Sequence, residues 1–424
     1  MPAEPLSCRL CGAPWLRSVV DLGASPPCES FLAPEDLDAP EPAYPLHLRI
    51  CPDCLLVQLP PLIDPAATFT EYAYFSSFSR SWLAHTEAFV DSAVGRLGLG
   101  PDSYVVEVAS NDGYLLRNVV ARGLRCLGIE PSVNVGEAAR AVGVPTLTAF
   151  LTPETGARVR REHGPADLVV ANNVYAHVPD ILGFTKGLRA LVADDGWVSI
   201  EVQHLLSLVE LTQYDTIYHE HFQYYTLASA RRALATAGLA VTDVELLDTH
   251  GGSIRVWARP AEVAGEPAAR VAEVLDSERA AGLHEPSGYA AFARRTGEIR
   301  LSLLEFLIGA KRRGERVVGY GAAGKGSTLL NHCGIRPDLL EYTVDRNPYK
   351  HGRFTPGTRI PILEPARITQ DRPDYVLVLP WNLRAELTEQ LRYVAEWGGR
   401  LVFAIPELEI VAPEVPVRPA VEVS

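Results

Sequence analysis

The segment Asp215–Tyr225 concentrates side chains that can move protons. Its residues include two histidines, a glutamate and three tyrosines, a density that packing alone hardly explains. His221 is the best candidate for a general base because imidazole titrates near neutral pH, and Glu220 and Tyr218 can orient it or bind an oxyanion. Two alternatives stay open: the two histidines could bind a metal, or the segment could be a polar helix start covered by aromatic rings.

A further histidine, His177, follows the apolar run Asp167–Asn172. The run predicts a buried parallel strand, and ligands of α/β proteins lie at the carboxyl ends of such strands. His177 is therefore a candidate for chemistry, with a structural role as the alternative. The aromatic and hydroxyl-rich segment that begins at Tyr72 could line a polar pocket, or it could be core with Ser79 capping a helix over 81–97.

The stretch Tyr104–Leu116 predicts a strand, a small-residue turn and a helix, which is how α/β proteins hold nucleotides. The turn has the spacing Glu-x-Ala-x-Asn-x-Gly, carried by Glu107, Ala109, Asn111 and Gly113. The next predicted strand, over 125–130, ends at Glu130. A carboxylate at that position can accept hydrogen bonds from both hydroxyls of a ribose.

The stretch 316–328 predicts a second unit of a strand, a glycine turn and a helix. Its Gly-x-Gly-x-x-Gly pattern begins at Gly319. Asp345 closes the following strand, as expected of a nucleotide site. The loop could hold NAD(P) or another nucleotide diphosphate, or its glycines could simply permit close packing. Lys325 can meet a phosphate charge, and Asn382 can add an amide contact.

Four cysteines form two Cys-x-x-Cys knuckles: Cys8, Cys11, Cys51 and Cys54. Two such knuckles complete a tetrahedral Zn2+ site, and four thiolates leave no open position for a catalytic water, so we expect a structural zinc. Cys28 stands alone and is not expected to be a ligand. Cys126 and Cys333 are expected to be reduced core residues.

The chain has 424 residues, of which 47% are hydrophobic and 21% charged, as in ordinary globular proteins. Its net charge of −13 argues against nucleic acid as a partner. No apolar run reaches the length of a membrane span and no signal segment is evident, so we expect a cytoplasmic protein without membrane contacts, monomeric or homodimeric.

The composition and the predicted elements suggest three domains. A zinc-binding module over residues 1–75 precedes an α/β unit over 76–260, and a second Rossmann-like unit fills 261–424. The middle unit is expected to close with two strands, over 240–247 and 253–258. The proline- and valine-rich tail from Glu407 is expected to lie across the surface.

Taken in order, five motifs resemble one family: the cysteine knuckles, the loop from Glu107 to Leu115, His177-Val-Pro, Tyr218-His-Glu-His and the loop at Gly319. It is the zinc-containing sugar C-methyltransferases that depend on S-adenosylmethionine (SAM), such as the dTDP-sugar C-3 methyltransferases of antibiotic biosynthesis. The resemblance covers nearly the whole chain. One departure from the general SAM loop is that Ala109 and Asn111 stand where glycines are commoner.

The resemblance implies a class I SAM-methyltransferase Rossmann-like domain, preceded by a small zinc-binding domain and followed by a second Rossmann-like α/β domain that holds a dTDP-linked keto-sugar. It implies a SAM site made by Glu107, Ala109, Asn111, Gly113, Tyr114, Leu115, Glu130, Asn172 and Asn173. The implied substrate contacts are Tyr72, His177, Lys325, Asp345 and Asn382. Catalysis would use His221 as the base that forms an enolate, with Glu220, Tyr218, His177 and Tyr72 around it.

Two other functions compete with this interpretation. If the loop at Gly319 bound NAD(P)H, the protein would be a 4-ketoreductase of the same sugar nucleotide, alone or in addition to methylation. If the sites were degenerate, it would be a zinc-bearing binding protein. Neither the sugar, its substituents nor the stereochemistry of methylation follows from the sequence.

Overall fold

The computed structural model describes residues 6–64 and 75–413. They belong to two compact units that alternate along the chain. The first unit comprises Met1–Arg17, Arg49–Leu206 and Glu220–Gly288, and the second comprises Ser18–Leu48, Ser207–His219 and Tyr289–Ser424. The three-domain division stays a prediction.

The first unit is built around a seven-stranded sheet in the order β10-β11-β8-β7-β4-β5-β6. Its strands are β4 (Tyr104–Val108), β5 (Arg125–Glu130), β6 (Thr146–Thr148), β7 (Ala166–Asn172), β8 (Val192–Gln203), β10 (Leu239–Leu247) and β11 (Ser253–Pro260). β4 to β8 run parallel, and β10 and β11 form an antiparallel pair at one edge. The strand order reverses between β4 and β7, so a ligand is expected at their carboxyl ends.

Helices cover the faces of this sheet. They are α1 (Arg80–Leu97), α2 (Leu116–Ala121), α3 (Val133–Ala141), α4 (Pro153–His163), α5 (Ile181–Leu191), α7 (Leu227–Ala235) and α8 (Ala269–Ala280). The short helix α6 (Leu205–Glu210) begins in the first unit, and its residues from Ser207 onward belong to the second. The start of α1 is fixed by Ser79, whose hydroxyl accepts a hydrogen bond from the Trp82 amide at 3.3 Å. Gly98 ends the helix in a left-handed conformation. The cap predicted at Ser79 is therefore confirmed.

Three short strands accompany the cysteine knuckles. Arg49 and Ile50, at the end of β2 (Tyr44–Ile50), pair with β3 (Val57–Gln58), and β3 pairs with β9 (Gln223–Tyr224). In the second unit, β1 (Arg17–Ser25) lies beside β2.

The second unit has a six-stranded sheet in the order β14-β13-β12-β15-β16-β17. Its strands are β12 (Val317–Tyr320), β13 (Thr343–Val344), β14 (Ile362–Leu363), β15 (Tyr375–Val378), β16 (Arg400–Phe403) and β17 (Glu409–Val411), and its helices are α9 (Ala290–Arg313), α10 (Gly324–Cys333), α11 (Ala366–Asp371) and α12 (Arg384–Gln390). β12 to β16 are parallel, as predicted for a Rossmann-like sheet. The tail differs from expectation because β17 extends the sheet as an antiparallel edge strand.

Both sheets have buried strands, as parallel sheets require. In the first unit, every residue of β4 is buried, including the carboxylate of Glu107. No helix of the described residues is both long enough and apolar enough to cross a bilayer.

Candidate active site and zinc centre

The four knuckle cysteines meet at one point of the first unit. The sulfurs of Cys8, Cys11, Cys51 and Cys54 all lie within 4.8 Å of one another. Each knuckle turns through a left-handed residue, Gly12 in the first and Leu55 in the second. Gln58 donates a hydrogen bond to the Cys8 sulfur at 3.3 Å, as a partner of a metal-bound thiolate would. Four converging sulfurs fit a tetrahedral Zn2+ site.

The loop after β4 has an alternating left-handed backbone. Ala109, Asn111 and Gly113 have φ values of 56°, 49° and 77°. Alanine and asparagine thus hold a conformation that favours glycine. At Gly113 a glycine is required on two grounds, because an added Cβ would also lie 2.9 Å from a methyl group of Val144.

Glu130 holds this loop from the end of β5. One oxygen accepts a hydrogen bond from the Asn111 amide at 2.8 Å, and the other accepts one from the Ser132 amide at 2.9 Å. Burial raises the pKa of Glu130, while these backbone donors act in the opposite direction. Each carboxylate oxygen has a further lone pair, so the side chain can also accept ligand hydroxyls.

Two buried side chains at the same strand ends have polar atoms that no group of the described residues reaches with good hydrogen-bond geometry, although the Tyr114 side chain lies near the first of them. They are Glu107, through both carboxylate oxygens, and Asn172, through both amide atoms. Burial raises the pKa of Glu107 well above its usual value; the Tyr114 side chain opposes this, and the charges of Glu130 and Asp112 add to it. Unsatisfied buried groups are costly, so they fit a site that a polar, cationic ligand completes.

The remaining predicted SAM contacts, Tyr114, Leu115 and Asn173, lie close in sequence to Gly113 or Asn172. Tyr114 and Leu115 are buried directly after Gly113. Asn173 follows Asn172 with a left-handed φ of 53°, and its amide donates to the Glu201 carbonyl at 2.7 Å.

His177 and His221 are brought together in the first unit. Their ring centroids are 4.6 Å apart, and the rings meet at 71°. The Phe222 amide donates to the Ala176 carbonyl at 2.8 Å, and this bond joins the two segments beside the histidines. Burial lowers the pKa of His177 to about 4, and a hydrogen bond to the Glu220 backbone opposes that shift. His177 is therefore neutral at pH 7.

The other predicted members of this cluster have different positions. Glu220 is buried in the first unit. Tyr218 belongs to the second unit, as does His219, which bonds the Tyr44 carbonyl at 3.0 Å. Tyr72 lies outside the described residues.

In the second unit, Lys325 and Asn382 are in contact. The Lys325 ammonium donates to the Asn382 amide oxygen at 3.2 Å and lies 5.1 Å from the centre of the Trp381 ring. Asp215 accepts a hydrogen bond from the Trp381 indole at 2.6 Å. Burial lowers the pKa of Lys325, and the charge of Asp215 opposes this shift.

Asp345 serves the glycine loop of its own unit. Its two oxygens accept hydrogen bonds from the Ala322 amide at 2.7 Å and the Asn347 amide at 2.8 Å. This arrangement shows a loop-holding role. A contact of Asp345 with substrate stays a prediction.

The start of α10, after the second glycine loop, is covered by the chain itself. An added Cβ on Gly324 would lie 2.9 Å from the Cys28 sulfur and 3.4 Å from a Glu29 carboxylate oxygen. Ser327 donates to the Cys28 carbonyl at 3.0 Å, and Lys350 pairs with Glu29 at 3.4 Å. A carboxylate of the same chain therefore lies where a dinucleotide phosphate is expected in a Rossmann fold.

Sequence reasoning missed a polar cluster around Glu201, near the end of β8. Its partners include His85, Thr249 and Arg255. The available signal was an acid inside the largely apolar run 197–202 of the strand, the same signal that singled out Glu107. The partners themselves come from distant segments and have no mutual spacing that a sequence pattern could show.

Comparisons with known proteins give matches along most of the chain. Three family models match the chain: a zinc binding domain at residues 8–69, a methyltransferase domain at 82–244 and a C-methyltransferase C-terminal domain at 248–406. A curated relative, C-methyltransferase NovU of Streptomyces niveus, is 38% identical over 407 residues, which are 96% of this chain and 97% of the relative.

Solved structures match part of the chain. Magnesium protoporphyrin IX methyltransferase from Synechocystis with bound SAM is 17% identical, with a TM-score of 0.31, and the match covers 42% of this chain and 80% of that one. The PH0226 protein from Pyrococcus horikoshii is 13% identical, with a TM-score of 0.36, and the match covers 47% of this chain and 96% of that one. The domain matches and the full-length relative decide the assignment: the chain belongs to the SAM-dependent C-methyltransferases that carry an N-terminal zinc-binding domain.

Proposed function

We propose that the chain methylates C-3 of a dTDP-linked 4-keto-deoxysugar through an enolate, as in antibiotic deoxysugar biosynthesis. The observation that carries the chemistry is the contact between His177 and His221 at 4.6 Å, in the unit that holds the methyltransferase loop. A carbon can accept a methyl cation only as a carbanion equivalent. A ketone acidifies the neighbouring C–H bond by delocalising the charge onto oxygen, so a nearby base is the residue to look for.

The methyl donor is proposed to bind at the loop of Glu107, Ala109, Asn111 and Gly113. SAM supplies an electrophilic methyl group on a sulfonium. Glu130 would accept the ribose hydroxyls, since a carboxylate has about four lone-pair sites and the two backbone amides and the Ser132 side chain do not fill all of them. The unsatisfied Glu107 and Asn172 would meet the polar atoms of the donor.

His221 is the proposed base. His177 has a pKa of about 4, so it carries no charge that would oppose the positive charge His221 gains when it accepts the substrate proton. Glu220 would orient or polarise His221, and Tyr218 would hydrogen-bond the developing oxyanion. His177 and Tyr72 are assigned to the ketone or the sugar. The enolate carbon would then attack the methyl group in line.

Lys325 and Asn382 are the proposed contacts for the nucleotide part of the substrate. They are paired beside the Trp381 ring, so a cation, an amide and an aromatic face lie together in one unit. That combination suits the phosphates and the base of a nucleotide. The proposed ligand class is thus a nucleotide-linked sugar rather than a free sugar.

Proton exchange tests this proposal before any methyl transfer. In D2O without SAM, the wild-type protein should exchange the hydrogen at C-3 of a dTDP-linked 4-keto-deoxysugar for deuterium. In a second assay with SAM, the product should gain the mass of one methylene group. His221→Ala should abolish exchange while still binding SAM, and His163→Ala, at an exposed helix end, should behave as wild type. A product methylated on oxygen or nitrogen instead of carbon would exclude the enolate, because those atoms need no carbanion to accept the methyl group. A panel of dTDP-, UDP- and GDP-linked keto-sugars without any methylated product would exclude the substrate class.

A further inference from the structure

The carboxylate of Glu201 is the centre of a buried polar cluster. It is fully buried, and its two oxygens lie 3.1 and 2.9 Å from the Nε2 atom of His85. It also accepts hydrogen bonds from the Thr249 hydroxyl at 3.0 Å and the Arg255 guanidinium at 2.7 Å. Burial alone would raise the pKa of Glu201, but the bonds and charges of His85 and Arg255 lower it, so the side chain is ionised.

This cluster lies at the strand ends that form the candidate donor site. Glu201 is paired in register with Asn172 of the neighbouring strand β7. Its backbone carbonyl accepts a hydrogen bond from the Asn173 amide. The cluster and the unsatisfied Asn172 amide therefore lie at the same edge of the sheet.

Glu201 ties two separate segments to that edge. His85 comes from the second turn of α1, and Thr249 comes from the turn between β10 and β11. Trp82 lies in the first turn of α1, and its ring centroid is 4.9 Å from that of His85 and 5.0 Å from that of His250 in the turn. The Trp82 ring is also 6.0 Å from Tyr114, which directly follows the glycine of the donor loop.

Backbone strain marks the same place. Asn173 and His250 both have left-handed φ values, 53° and 55°, although neither is glycine. Their side chains approach each other, with 3.5 Å between Asn173 Nδ2 and His250 Nε2. Strained residues persist where the surroundings fix them, and they cluster at functional sites.

A second buried Glu–His pair in the same unit serves as a comparison, because its carboxylate has a structural role at a helix start. Glu278 is fully buried and lies 2.8 Å from His204 Nε2. Its other hydrogen-bond partners are the Leu227 and Ala228 amides at the start of α7, which a carboxylate caps, and His284 Nε2 lies 3.9 Å from its second oxygen. His204 is buried as well, whereas His85 and Trp82 are half-exposed.

We propose that Glu201 is a positioning residue of the methyl-donor site: it fixes His85 and the Thr249–His250 turn, which hold Trp82 as an aromatic face for the sulfonium cation. The proposal rests on the donor location proposed above. Aromatic faces attract cations, with Trp the strongest. S-adenosylhomocysteine has a neutral thioether in place of the sulfonium, so a cation-selective face should favour SAM over it.

Calorimetric binding of SAM and S-adenosylhomocysteine to the full-length protein tests the proposal. Trp82→Leu should weaken SAM binding about tenfold and S-adenosylhomocysteine binding much less, which lowers the selectivity between the two. Glu201→Gln should reproduce that loss of selectivity, and Glu278→Gln, the matched buried control, should not. His85→Gln is a second variant, at a half-exposed position, in case Glu201→Gln fails to fold.

The possible results separate the inference from its premise. If Trp82→Leu or His85→Gln left the SAM selectivity unchanged, the positioning role would be wrong. The same holds if Glu278→Gln lowered the selectivity as much as Glu201→Gln did. Glu107→Gln tests the donor location itself: SAM affinity equal to wild type in that variant would remove the location and, with it, this inference.

Discussion

The imidazole rings of His177 and His221 lie edge to face with their centroids 4.6 Å apart. They come from segments that are far apart in sequence, and the backbone bond from Phe222 to Ala176 holds those segments together. Burial lowers the pKa of His177 to about 4, so this ring is neutral at pH 7, as its proposed role beside the base His221 requires.

The half-buried His177, with its lowered pKa, should make the protein less stable in acid. Its pKa is about 4 in the folded chain and 6.5 in the unfolded chain. Between these values the unfolded state binds a proton that the folded state does not, so the free energy of unfolding falls as the pH falls, by up to about 3 kcal/mol. Urea denaturation of wild type and His177→Gln at pH 7.5, 6 and 5 checks this. The variant should lose less stability toward pH 5, and parallel curves would contradict the expectation.

Gly113→Ala should impair both the donor loop and the fold. The left-handed backbone costs alanine about 1 kcal/mol, and the contact with Val144 at 2.9 Å adds about 1–3 kcal/mol of overpacking. Gly123→Ala is the matched control, because Gly123 has a φ of 73° with nothing within 4 Å of an added Cβ. We expect a lower denaturation midpoint and weaker SAM binding for Gly113→Ala than for Gly123→Ala. Equal effects would mean that the loop tolerates a side chain there.

The sequence predicted the sheets better than the site. The strand–turn–helix signals at Glu107 and Gly319 located both sheets because each signal depends only on residues that are neighbours in sequence. The spacing of the cysteines likewise located the metal centre. The Glu201 cluster could not be predicted, since it joins residues from α1, β8 and the β10–β11 turn. The second glycine loop was recognised, but its cover by Cys28 and Glu29 comes from a contact across 295 or more residues that no local pattern encodes.

Zinc should bind through the four cysteines alone. Because four thiolates close a tetrahedral site, elemental analysis of the purified protein should find about one Zn per chain. Cys54→Ser should lose the metal and lower the melting temperature, because metal binding contributes to the stability of such modules. Cys126→Ser, whose sulfur is outside the cluster, should keep the metal. Full zinc occupancy in Cys54→Ser would show that the ligand set is wrong.

NADPH should not bind to the second glycine loop. The Cys28 sulfur and a Glu29 carboxylate oxygen lie 2.9 and 3.4 Å from the position of an added Cβ on Gly324, so these side chains occupy the space beside the loop backbone where a dinucleotide pyrophosphate would bind. Titration followed by NADPH fluorescence should therefore give no saturable signal, in a sample that binds SAM normally. Substrate-dependent oxidation of NADPH would overturn this expectation and restore the 4-ketoreductase as an activity of the chain.

Lys325→Met should weaken the nucleotide sugar and spare the methyl donor. Methionine keeps most of the side-chain length over the Trp381 ring but removes the ammonium that contacts Asn382. Loss of one cation–phosphate contact should raise the KM for the sugar nucleotide about tenfold, with little change in the Kd for SAM, because SAM is assigned to the other unit. The effect should shrink at high salt, where the contact is screened in the wild type. Lys311→Met, at an exposed lysine of α9, is the matched control and should leave KM unchanged. If Lys325→Met weakened SAM instead, or left KM at the wild-type value, the nucleotide contacts would have to be sought elsewhere than in the Lys325–Asn382 pair.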